Sequence, residues 1–537
     1  MKNIQFILIS FFLVLTSYAQ HTPNGIYFGL PGKNVMIEGL IEYYDKGYFM
    51  EGSHYINPNQ NFGLGSWSAK TGINLELLRQ NYIIYNSGYI ETYAVASDNE
   101  GNRYTGGVLY KAGSDSPIIS KYNACGETEW CRILKKGEYN QGIVVDILIT
   151  DERDEIIVLL QYLYPVLPEI KDRIYLAALS NNGELLWEKV FASPDKYPLL
   201  HDPMAVKITY YKGEYYISGR CYYAYPSNPS IFYHRAFYVG IDSNFEEKWI
   251  LPFGTRQNII GDAWNILPIN DRLLMGVGSR WLPTPHWYNS LIMFFDVDGN
   301  EISYTEIQSS SINPDIDYNA IRTMYQINDT TFLSLLHLGI GGVNMFGDMV
   351  FDISGNIYDY TVRGSREWVP KITISYDSNY VIGVPVMGSD GFLKAFLYKI
   401  DQNLQYVPFD STTYVYDSLC PYPIQSGTID LSDCMVLTST DWIPTPKEYY
   451  ASISAIPITI YPNPAKDQIT FTFENTEHHK NIELRCFNLL GVLQHQIKVQ
   501  RGQQQYSANI KNWAPGIYIA VVYSDGKPVG RGKFVVQ

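Results

Sequence analysis

Short apolar runs separated by polar turns occupy residues 34–442, and two kinds of hairpin alternate along them. The first kind places two strongly apolar runs around a turn, as in residues 35–52 and 206–221. Asp, Asn and Gly dominate these turns because they tolerate the positive φ of a tight hairpin. The predicted turns, about 49 to 60 residues apart, fall near Lys46, Glu100, Arg153, Gly213, Asp271, Asp329, Ser378 and Asp433.

The second kind of hairpin is more polar and lies between copies of the first, as in residues 118–134 and 174–191. Its turns, about fifty to sixty residues apart, fall near Gly72, Gly126, Gly183, Phe245, Gly299, Gly355 and Leu404. Two hairpin series that share one period indicate a repeat rather than chance.

Four short strands in each period of roughly 55 residues are typical of a β-propeller blade. The sequence therefore predicts an all-β fold, in which the apolar hairpins form the inner strands and the polar hairpins the outer strands. Seven full units are visible with a half unit at 424–442. A strand near Ile26–Leu30 could complete that half and close an eight-bladed ring; a seven-bladed ring with an appended hairpin and a β-sandwich are the alternatives.

Three tryptophans, Trp130, Trp187 and Trp249, each stand four residues after a second-series turn. We expect them to pack between adjacent blades. The segments GETEW and GELLW resemble the tryptophan-docking repeat of quinoprotein-type propellers. Only three of seven units carry the Trp, and the sequence has no adjacent Cys-Cys pair, so no cofactor is predicted.

The period ends at the proline-bearing residues 443–446, and residues 446–455 form the predicted linker. Residues 456–537 are predicted to form a small β-sandwich. This segment resembles the type A sorting domain of the type IX secretion system of Bacteroidetes. The matching residues occur in the expected order and include Asn488 to Gly491, Trp513 to Tyr518, and the positions Tyr461, Pro462, Asn463, Pro464, Gly491, Gly516, Tyr518, Gly532, Lys533 and Phe534.

The resemblance implies that the secretion translocon and its sorting machinery recognise the folded domain after passage through the inner membrane. It further implies that the domain is then removed, and that the body is released or joined to surface polysaccharide. The physical pattern agrees, because Pro462 and Pro464 each fix φ and favour an extended start.

The first nineteen residues read as a cleavable signal peptide. Lys2 gives a positive start, residues 4–15 are apolar, and Ser17 and Ala19 are small residues before Gln20. About a dozen apolar residues are too few to span a bilayer. We therefore expect a mature body at 20–445 that passes through the periplasm to the outer surface or the medium, with no transmembrane helix.

Composition supports this interpretation and excludes one class of partner. Tyrosine is abundant, with 46 residues, and charged residues make up only 18%, a balance that suits half-buried strands. The net charge is −14 and no basic stripe offsets it. Nucleic acid is therefore not an expected partner.

Six cysteines are present in a chain predicted to mature where disulfides persist. Cys125 and Cys131 flank a turn, and we expect them to pair across the hairpin. Cys420 and Cys434 are the second candidate pair. Zinc binding by Cys125 and Cys131 is the competing interpretation, but no second close Cys or His pair accompanies them.

No residues in the sequence are predicted to be catalytic or metal-binding. Residues 296–300 begin like a calcium loop but lack its downstream Glu, and the pairs Asp151 with Asp154 and Asp315 with Asp317 fall in loops. The glycine-rich stretch 339–347 lacks the strand-to-helix context of a phosphate site.

Two functional hypotheses remain. In the first, the body is a binding or scaffold module for a glycan or a surface protein, with aromatic loops at 221–235 and 279–289 available for stacking. In the second, it is a secreted propeller enzyme such as a glycoside hydrolase or lyase. Acidic or His side chains gathered at one mouth of the ring would favour the enzyme, and an aliphatic channel would favour the scaffold.

Overall fold

The computed structural model divides the chain into two compact units, Met1–Trp442 and Ile443–Gln537. The predicted signal peptide, and nearly all of the predicted linker, lie outside the described residues. The structure describes residues 25–55, 65–86, 88–111, 114–136, 141–150, 155–166, 169–193, 195–225, 228–252, 260–281, 288–313, 315–316, 318–340, 343–365, 370–408, 414–438, 446, 458–473, 482–488, 492–500, 503–524 and 527–537.

Strands form almost all of the regular structure in the first unit. After β1 (Gly25–Phe28), three sheets follow in chain order. Sheet one contains β2 (Asn34–Val35), β3 (Gly39–Glu42), β4 (Tyr48–Tyr55), β5 (Gly65–Thr71) and β6 (Leu77–Ile84). Sheet two contains β7 (Gly88–Ser97), β8 (Arg103–Lys111), β9 (Ser114–Tyr122) and β10 (Thr128–Lys135). Sheet three contains β11 (Gly142–Ile149), β12 (Glu155–Val166), β13 (Glu169–Ser180) and β14 (Leu185–Phe191).

Four further sheets continue the same order. Sheet four contains β15 (Leu200–Tyr211), β16 (Glu214–Tyr225), β17 (Asn228–Ile241) and β18 (Glu247–Pro252). Sheet five contains β19 (Ile260–Asn270), β20 (Leu273–Trp281), β21 (Tyr288–Asp296) and β22 (Glu301–Ile307), followed by the short helix α1 (Ser309–Ile312). Sheet six contains β23 (Tyr318–Gln326), β24 (Thr331–Ile340), β25 (Val343–Asp352) and β26 (Ile357–Ser365). Sheet seven contains β27 (Lys371–Ile374), β28 (Tyr380–Met387) and β29 (Leu393–Ile400).

Within each sheet, sequential strands pair antiparallel, as the hairpin pattern predicts, except that the two-residue strand β2 pairs with β4. Turns at predicted positions adopt positive φ, for example 68° at Lys46 and 86° at Gly213. Sheet seven takes its fourth strand from the start of the described chain, because β1 pairs antiparallel with β29, Gly25 opposite Tyr398. A single parallel pair, Tyr288 with Tyr318, joins sheets five and six.

Apolar side chains from neighbouring sheets form shared cores. Buried residues of sheets two and three pack together, and so do those of sheets four and five, five and six, and six and seven. Sheets one and two share a core that includes Ile83 and Ile133. One further core joins Leu40 and Trp67 of sheet one to Val381 and Leu397 of sheet seven. The first and last sheets of the unit are therefore in contact.

The described part of the predicted half unit at 424–442, residues 424–438, does not form a hairpin, and its predicted completion by Ile26–Leu30 is wrong. Its two strands, β30 (Gly427–Asp430) and β31 (Met435–Thr438), diverge to different sheets. β30 runs parallel to β6 at the edge of sheet one, and β31 runs parallel to β10 at the edge of sheet two. Outermost strands carry unpaired backbone groups, and these two edges accept the strands. We call residues 414–438 the strap.

Both disulfides attach the strap to sheet two. Cys125 pairs with Cys420 and Cys131 with Cys434, with Cα atoms 5.4 and 4.8 Å apart. All four predicted cysteines are bonded, but the predicted pairing within the hairpin is wrong. The register of β9 and β10 places Ser120, not Cys125, opposite Cys131. The predicted Cys420 to Cys434 bond is wrong for the same reason, since each sulfur is already bound to sheet two.

The second unit contains two sheets around one core. Its strands are β32 (Ile458–Tyr461), β33 (Gln468–Phe473), β34 (Glu483–Asn488), β35 (Leu493–Lys498), β36 (Gln505–Asn509), β37 (Gly516–Ser524) and β38 (Lys527–Val536). The sheet orders are β32-β33-β36 and β35-β34-β37-β38. Phe471 of the first sheet packs on Phe534 of the second, with ring centroids 5.5 Å apart. In the described part of the chain, no helix is both long and apolar enough to cross a membrane.

Candidate functional site

The motifs of the second unit, which are far apart in sequence, meet along its last strand. Asn463 accepts a hydrogen bond from the Val535 amide (2.9 Å) and donates to the Lys533 carbonyl (3.2 Å). The next residue but one, Ala465, donates its amide to the Val535 carbonyl at 2.8 Å. The YPNP segment is thereby fixed beside the terminal GKF segment, with Tyr461 about half exposed.

Close packing explains two more of these positions. Tyr518 stacks on the fully buried Phe534 at 5.6 Å and donates its hydroxyl to the Ala514 carbonyl. A Cβ on Gly532 would lie 2.7 Å from the terminal methyl of Ile460, so a larger residue there would require the Ile460 side chain to shift. Gly516 begins β37. Gly491 lies outside the described residues.

The three tryptophans of the first unit each reach the next sheet. The Trp130 indole N–H donates to the Asn181 carbonyl of sheet three, and that of Trp249 to the Val297 carbonyl of sheet five, both at 2.8 Å. Trp187 is fully buried, and its ring lies 4.4 Å from that of Phe245 in sheet four.

The other sequence candidates have structural roles or lie outside the described residues. The Asp296 carboxylate accepts the amides of Asp298 and Asn300, at 3.0 and 2.8 Å, which closes a turn of the kind that Asp352 also forms. The described residues of the stretch 339–347 belong to the antiparallel strands β24 and β25. Residues 151–154 and Asp317 are outside the described part. Among the described residues, no three His, Cys, Asp or Glu side chains lie together as metal ligands would.

A repeated irregularity places side chains at one end of the first strands. A register shift falls at corresponding places in β7, β11, β15, β19 and β23. Each shift leaves one residue outside the one-to-one register of the two strands, and a bulge of this kind re-aims the side chain it carries. In β7, β19 and β23 these residues are Tyr93, Trp264 and Arg322. All three shifts fall nearer the beginning of the strand than the tight hairpin turn at its other end.

Trp264 and Arg322 form the first half of a polar and aromatic cluster there. The Arg322 guanidinium carbon lies 3.7 Å from the centroid of a Trp264 ring. Arg322 Nη2 donates to the Tyr318 hydroxyl at 2.8 Å and lies 3.2 Å from His337 Nδ1. His337 Nε2 in turn lies 3.3 Å from Asn344 Oδ1. A cation stacked on indole and held by hydrogen bonds is a rigid arrangement.

Sheets four and five provide the second half. His234 Nε2 lies 3.1 Å from Asp262 Oδ1, and the His234 ring stacks on Tyr222 at 5.4 Å. The Arg220 guanidinium is 3.9 Å from the same Asp262 oxygen. Burial lowers the pKa of His234, which the Asp262 charge opposes and the charges of Arg220 and Arg235 reinforce.

These residues define the loop-end face, at the end of sheets four to six where β15, β19 and β23 begin. Register pairs locate it, since Tyr222 lies opposite His234 and His337 opposite Ala320. The members of the loop-end face are Arg220, Tyr222, His234, Asp262, Trp264, Tyr318, Arg322, His337 and Asn344. The predicted aromatic segment 221–235 contributes Tyr222 and His234, whereas most of 279–289 lies outside the described residues.

Charged groups also lie on or next to the first strands of sheets one, two, three and seven. Lys371 Nζ lies 3.5 Å from Glu38, and the Tyr93 hydroxyl donates to Glu91 at 2.7 Å. Burial raises the pKa of Glu38, against the Lys371 charge. Burial likewise raises the pKa of Asp146, which accepts the Ile208 amide of sheet four. These side chains are held within the fold and are less exposed than Arg220 and Tyr222.

Sequence reasoning missed Trp264 and Arg322. Their signal was present in the period, because they lie 58 residues apart at corresponding positions of two units.

A cavity of about 10 Å³ beneath Leu431, between sheets one and two, has room for one water molecule and no larger ligand. The loop-end face is therefore the candidate binding surface of the first unit.

Comparison with known proteins identifies the second unit. Residues 459–537 match the family described as secretion system C-terminal sorting domain. No curated protein matched the sequence.

Solved structures resemble the chain only weakly. The alpha-L-arabinofuranosidase Arb93A of Fusarium graminearum shares 9% identity, with a TM-score of 0.37, over 58% of this chain and 93% of that one. Prolyl oligopeptidase B from Galerina marginata shares 8%, with a TM-score of 0.41, over 83% of this chain and 57% of that one. A GH32 beta-fructofuranosidase from Bombyx mori shares 10%, with a TM-score of 0.27, over 85% of each chain. Similarities of this size assign no activity, so identification rests on the family match and on the motifs along β38. The chain carries a type IX secretion system sorting domain at residues 459–537, which directs its export to the cell surface or the extracellular space.

Proposed function

We propose that the seven sheets of the first unit close into a seven-bladed β-propeller. Two observations support closure. The core that joins Leu40 and Trp67 to Val381 and Leu397 connects the first sheet to the last. In addition, β1 supplies the fourth strand of sheet seven, so the two ends of the repeat share one sheet. The strap then lies outside the ring, on the outer edges of sheets one and two.

We further propose that the exported body is a glycan-binding module and that the loop-end face is its binding surface. The observation that carries this proposal is the stacking of Arg322 on Trp264 beside Tyr318, at the same strand ends as Tyr222. Aromatic rings held in place offer flat apolar surfaces to sugars, and the guanidinium, imidazole and amide groups offer hydrogen bonds to hydroxyls. Tyr222 is 47% exposed, so its ring is accessible to a ligand.

A glycan array tests the binding proposal. The chain lacking its signal segment should bind a defined subset of glycans, and Tyr222→Ala should lower the affinity at least tenfold, about 1.4 kcal/mol. Tyr422→Ala is the matched control, because Tyr422 is an exposed tyrosine, 80% accessible, of the strap, whose strands pair with sheets one and two, whereas the loop-end face lies on sheets four to six. Equal effects of the two substitutions, or no binding to any glycan, would contradict the proposal.

Fusion of residues 456–537 to a fluorescent reporter with a signal peptide tests whether the sorting domain is sufficient for export. In a host with the type IX system, the reporter should reach the cell surface or the medium. The control fusion ends at residue 531 and so lacks the strand segment that binds Asn463 and Ala465. We expect the control to stay in the periplasm; retention of both fusions there would show that 456–537 are not sufficient.

A further inference from the structure

One pair of side chains on the loop-end face has the geometry of an acid–base group. His234 and Asp262 come from neighbouring sheets, with Nε2 and Oδ1 3.1 Å apart and side-chain exposures of only 14% and 9%. A carboxylate in this position fixes the orientation of the imidazole and stabilises its protonated form. Tyr222 stacks on the His234 ring, with the two rings inclined by 25°. The imidazole is therefore held from two directions.

The groups around this pair suit a substrate that carries a carboxylate. Arg220 lies 3.9 Å from Asp262, yet its side chain is 39% exposed, so the guanidinium reaches both the pair and solvent. Arg binds carboxylates through two parallel hydrogen bonds. Its charge would also stabilise the negative charge that develops on a carboxylate when the neighbouring carbon loses a proton. A base beside such a cation favours proton abstraction next to a carboxylate.

We infer that the loop-end face cleaves uronate-containing polysaccharides by β-elimination, with His234 as the base, Arg220 binding the uronate carboxylate and Tyr222 as the acid. This inference rests on the proposed glycan-binding function and adds a reaction to it. The imidazole nitrogen turned away from Asp262 takes the proton from the carbon that bears the carboxylate. The electron pair of that C–H bond forms a carbon–carbon double bond, and the bond to the next sugar's oxygen breaks.

The departing oxygen takes the proton of the Tyr222 hydroxyl, which is exposed enough to reach it. The imidazolium then returns its proton to the tyrosinate directly or through water, and both residues are restored. No oxidant or reductant takes part, because elimination only redistributes the electrons of the substrate. The low pKa that burial gives His234 keeps the imidazole neutral at neutral pH, as a base requires.

The experiment uses the full exported chain with polygalacturonate, alginate and chondroitin sulfate, and follows the ultraviolet absorbance of the new double bond. At least one polymer should give increasing absorbance. His234→Asn should lower kcat by about 10²- to 10⁴-fold with binding retained, and Arg220→Lys should raise KM. Tyr222→Phe removes only a half-exposed hydroxyl and should also lower kcat. It therefore tests the reaction even if the His234 variant does not fold. Tyr422→Phe should leave both constants unchanged.

The outcomes separate this inference from the proposed function. Binding on the glycan array without absorbance from any polymer would overturn the elimination and leave glycan binding standing. New reducing ends without absorbance would indicate hydrolysis and would also overturn it. Absence of both binding and cleavage would contradict the two proposals together. Unchanged kcat in His234→Asn and Tyr222→Phe would remove those residues from the reaction.

Discussion

The two disulfides of the strap should stabilise the first unit in a strongly non-additive way. Each bond joins residues far apart in sequence, with separations of 295 and 303. A crosslink limits the entropy of the unfolded chain, and for a loop of this length the effect is about 6 kcal/mol. The cysteines of the two bonds are neighbours, however, because Cys125 precedes Cys131 closely and Cys420 precedes Cys434 closely.

Because of this proximity, each disulfide contributes less to the free energy of unfolding when the other disulfide is present. With Cys125–Cys420 intact, the second bond closes a loop of only about 20 residues, worth about 3 kcal/mol. Replacing Cys131 and Cys434 with Ala should therefore cost about 3 kcal/mol. Replacing all four cysteines should cost about 9 kcal/mol, unless the strap detaches before the sheets unfold, in which case the loss is smaller and the strap becomes accessible to protease.

Guanidinium unfolding followed by tryptophan fluorescence measures these losses, because nine of the ten tryptophans lie in the first unit. The matched control is Cys125→Ala with Cys420→Ala, which should also lose about 3 kcal/mol because it leaves the other long-range bond. A loss near 6 kcal/mol in either single-pair variant would refute the reasoning. The reasoning would also be refuted if the variant that lacks all four cysteines were as stable, and as resistant to protease, as a variant that lacks one disulfide.

Three further substitutions test the interior of the first unit by the same unfolding measurement. Trp187→Ala should cost about 3–5 kcal/mol, because the buried ring fills the contact with Phe245; a loss under about 1 kcal/mol would show that the space refills. Asp348→Asn should cost about 3–5 kcal/mol, because it leaves the buried Arg363 guanidinium without its anion, and a neutral result would contradict this. Burial lowers the pKa of His54 to about 4, from about 6.5 when unfolded. The unfolded chain then binds the proton more readily, so the contribution of His54 to the free energy of unfolding is fully present above pH 6.5 and should fall by about 3 kcal/mol as the pH drops to 4. His54→Gln should remove this part of the pH dependence of stability, and an unchanged pH dependence would refute the assignment.

Local patterns in the sequence predicted many of the strands and turns of the fold. Hairpins depend on residues that are neighbours in the chain, so alternation and turn residues predicted the strands on both sides of Lys46 and Gly213. The sorting domain was predictable for a related reason. Its motifs consist of specific residues in a fixed order, such as Asn463, whose side chain bonds to the backbone of the last strand.

The disulfide pairing and the strap could not be predicted from the sequence. Cys125 and Cys131 are close in sequence, but the register of β9 and β10 separates them and leaves each to a partner about 300 residues away. The half unit at 424–442 has the alternation of a hairpin, yet its two strands are taken by the open edges of β6 and β10. Alternation records which residues face a core and not which strand edge they join.

The candidate site shows the same division. The sequence by itself determined the repeated strands, the sorting domain and the aromatic segment that contains Tyr222. Only the tertiary structure decided that Trp264 and Arg322, on neighbouring sheets, stack on each other and that His234 meets Asp262. Contacts between sheets depend on the bulges and on packing across the shared cores, and those terms are set by residues from distant parts of the chain acting together.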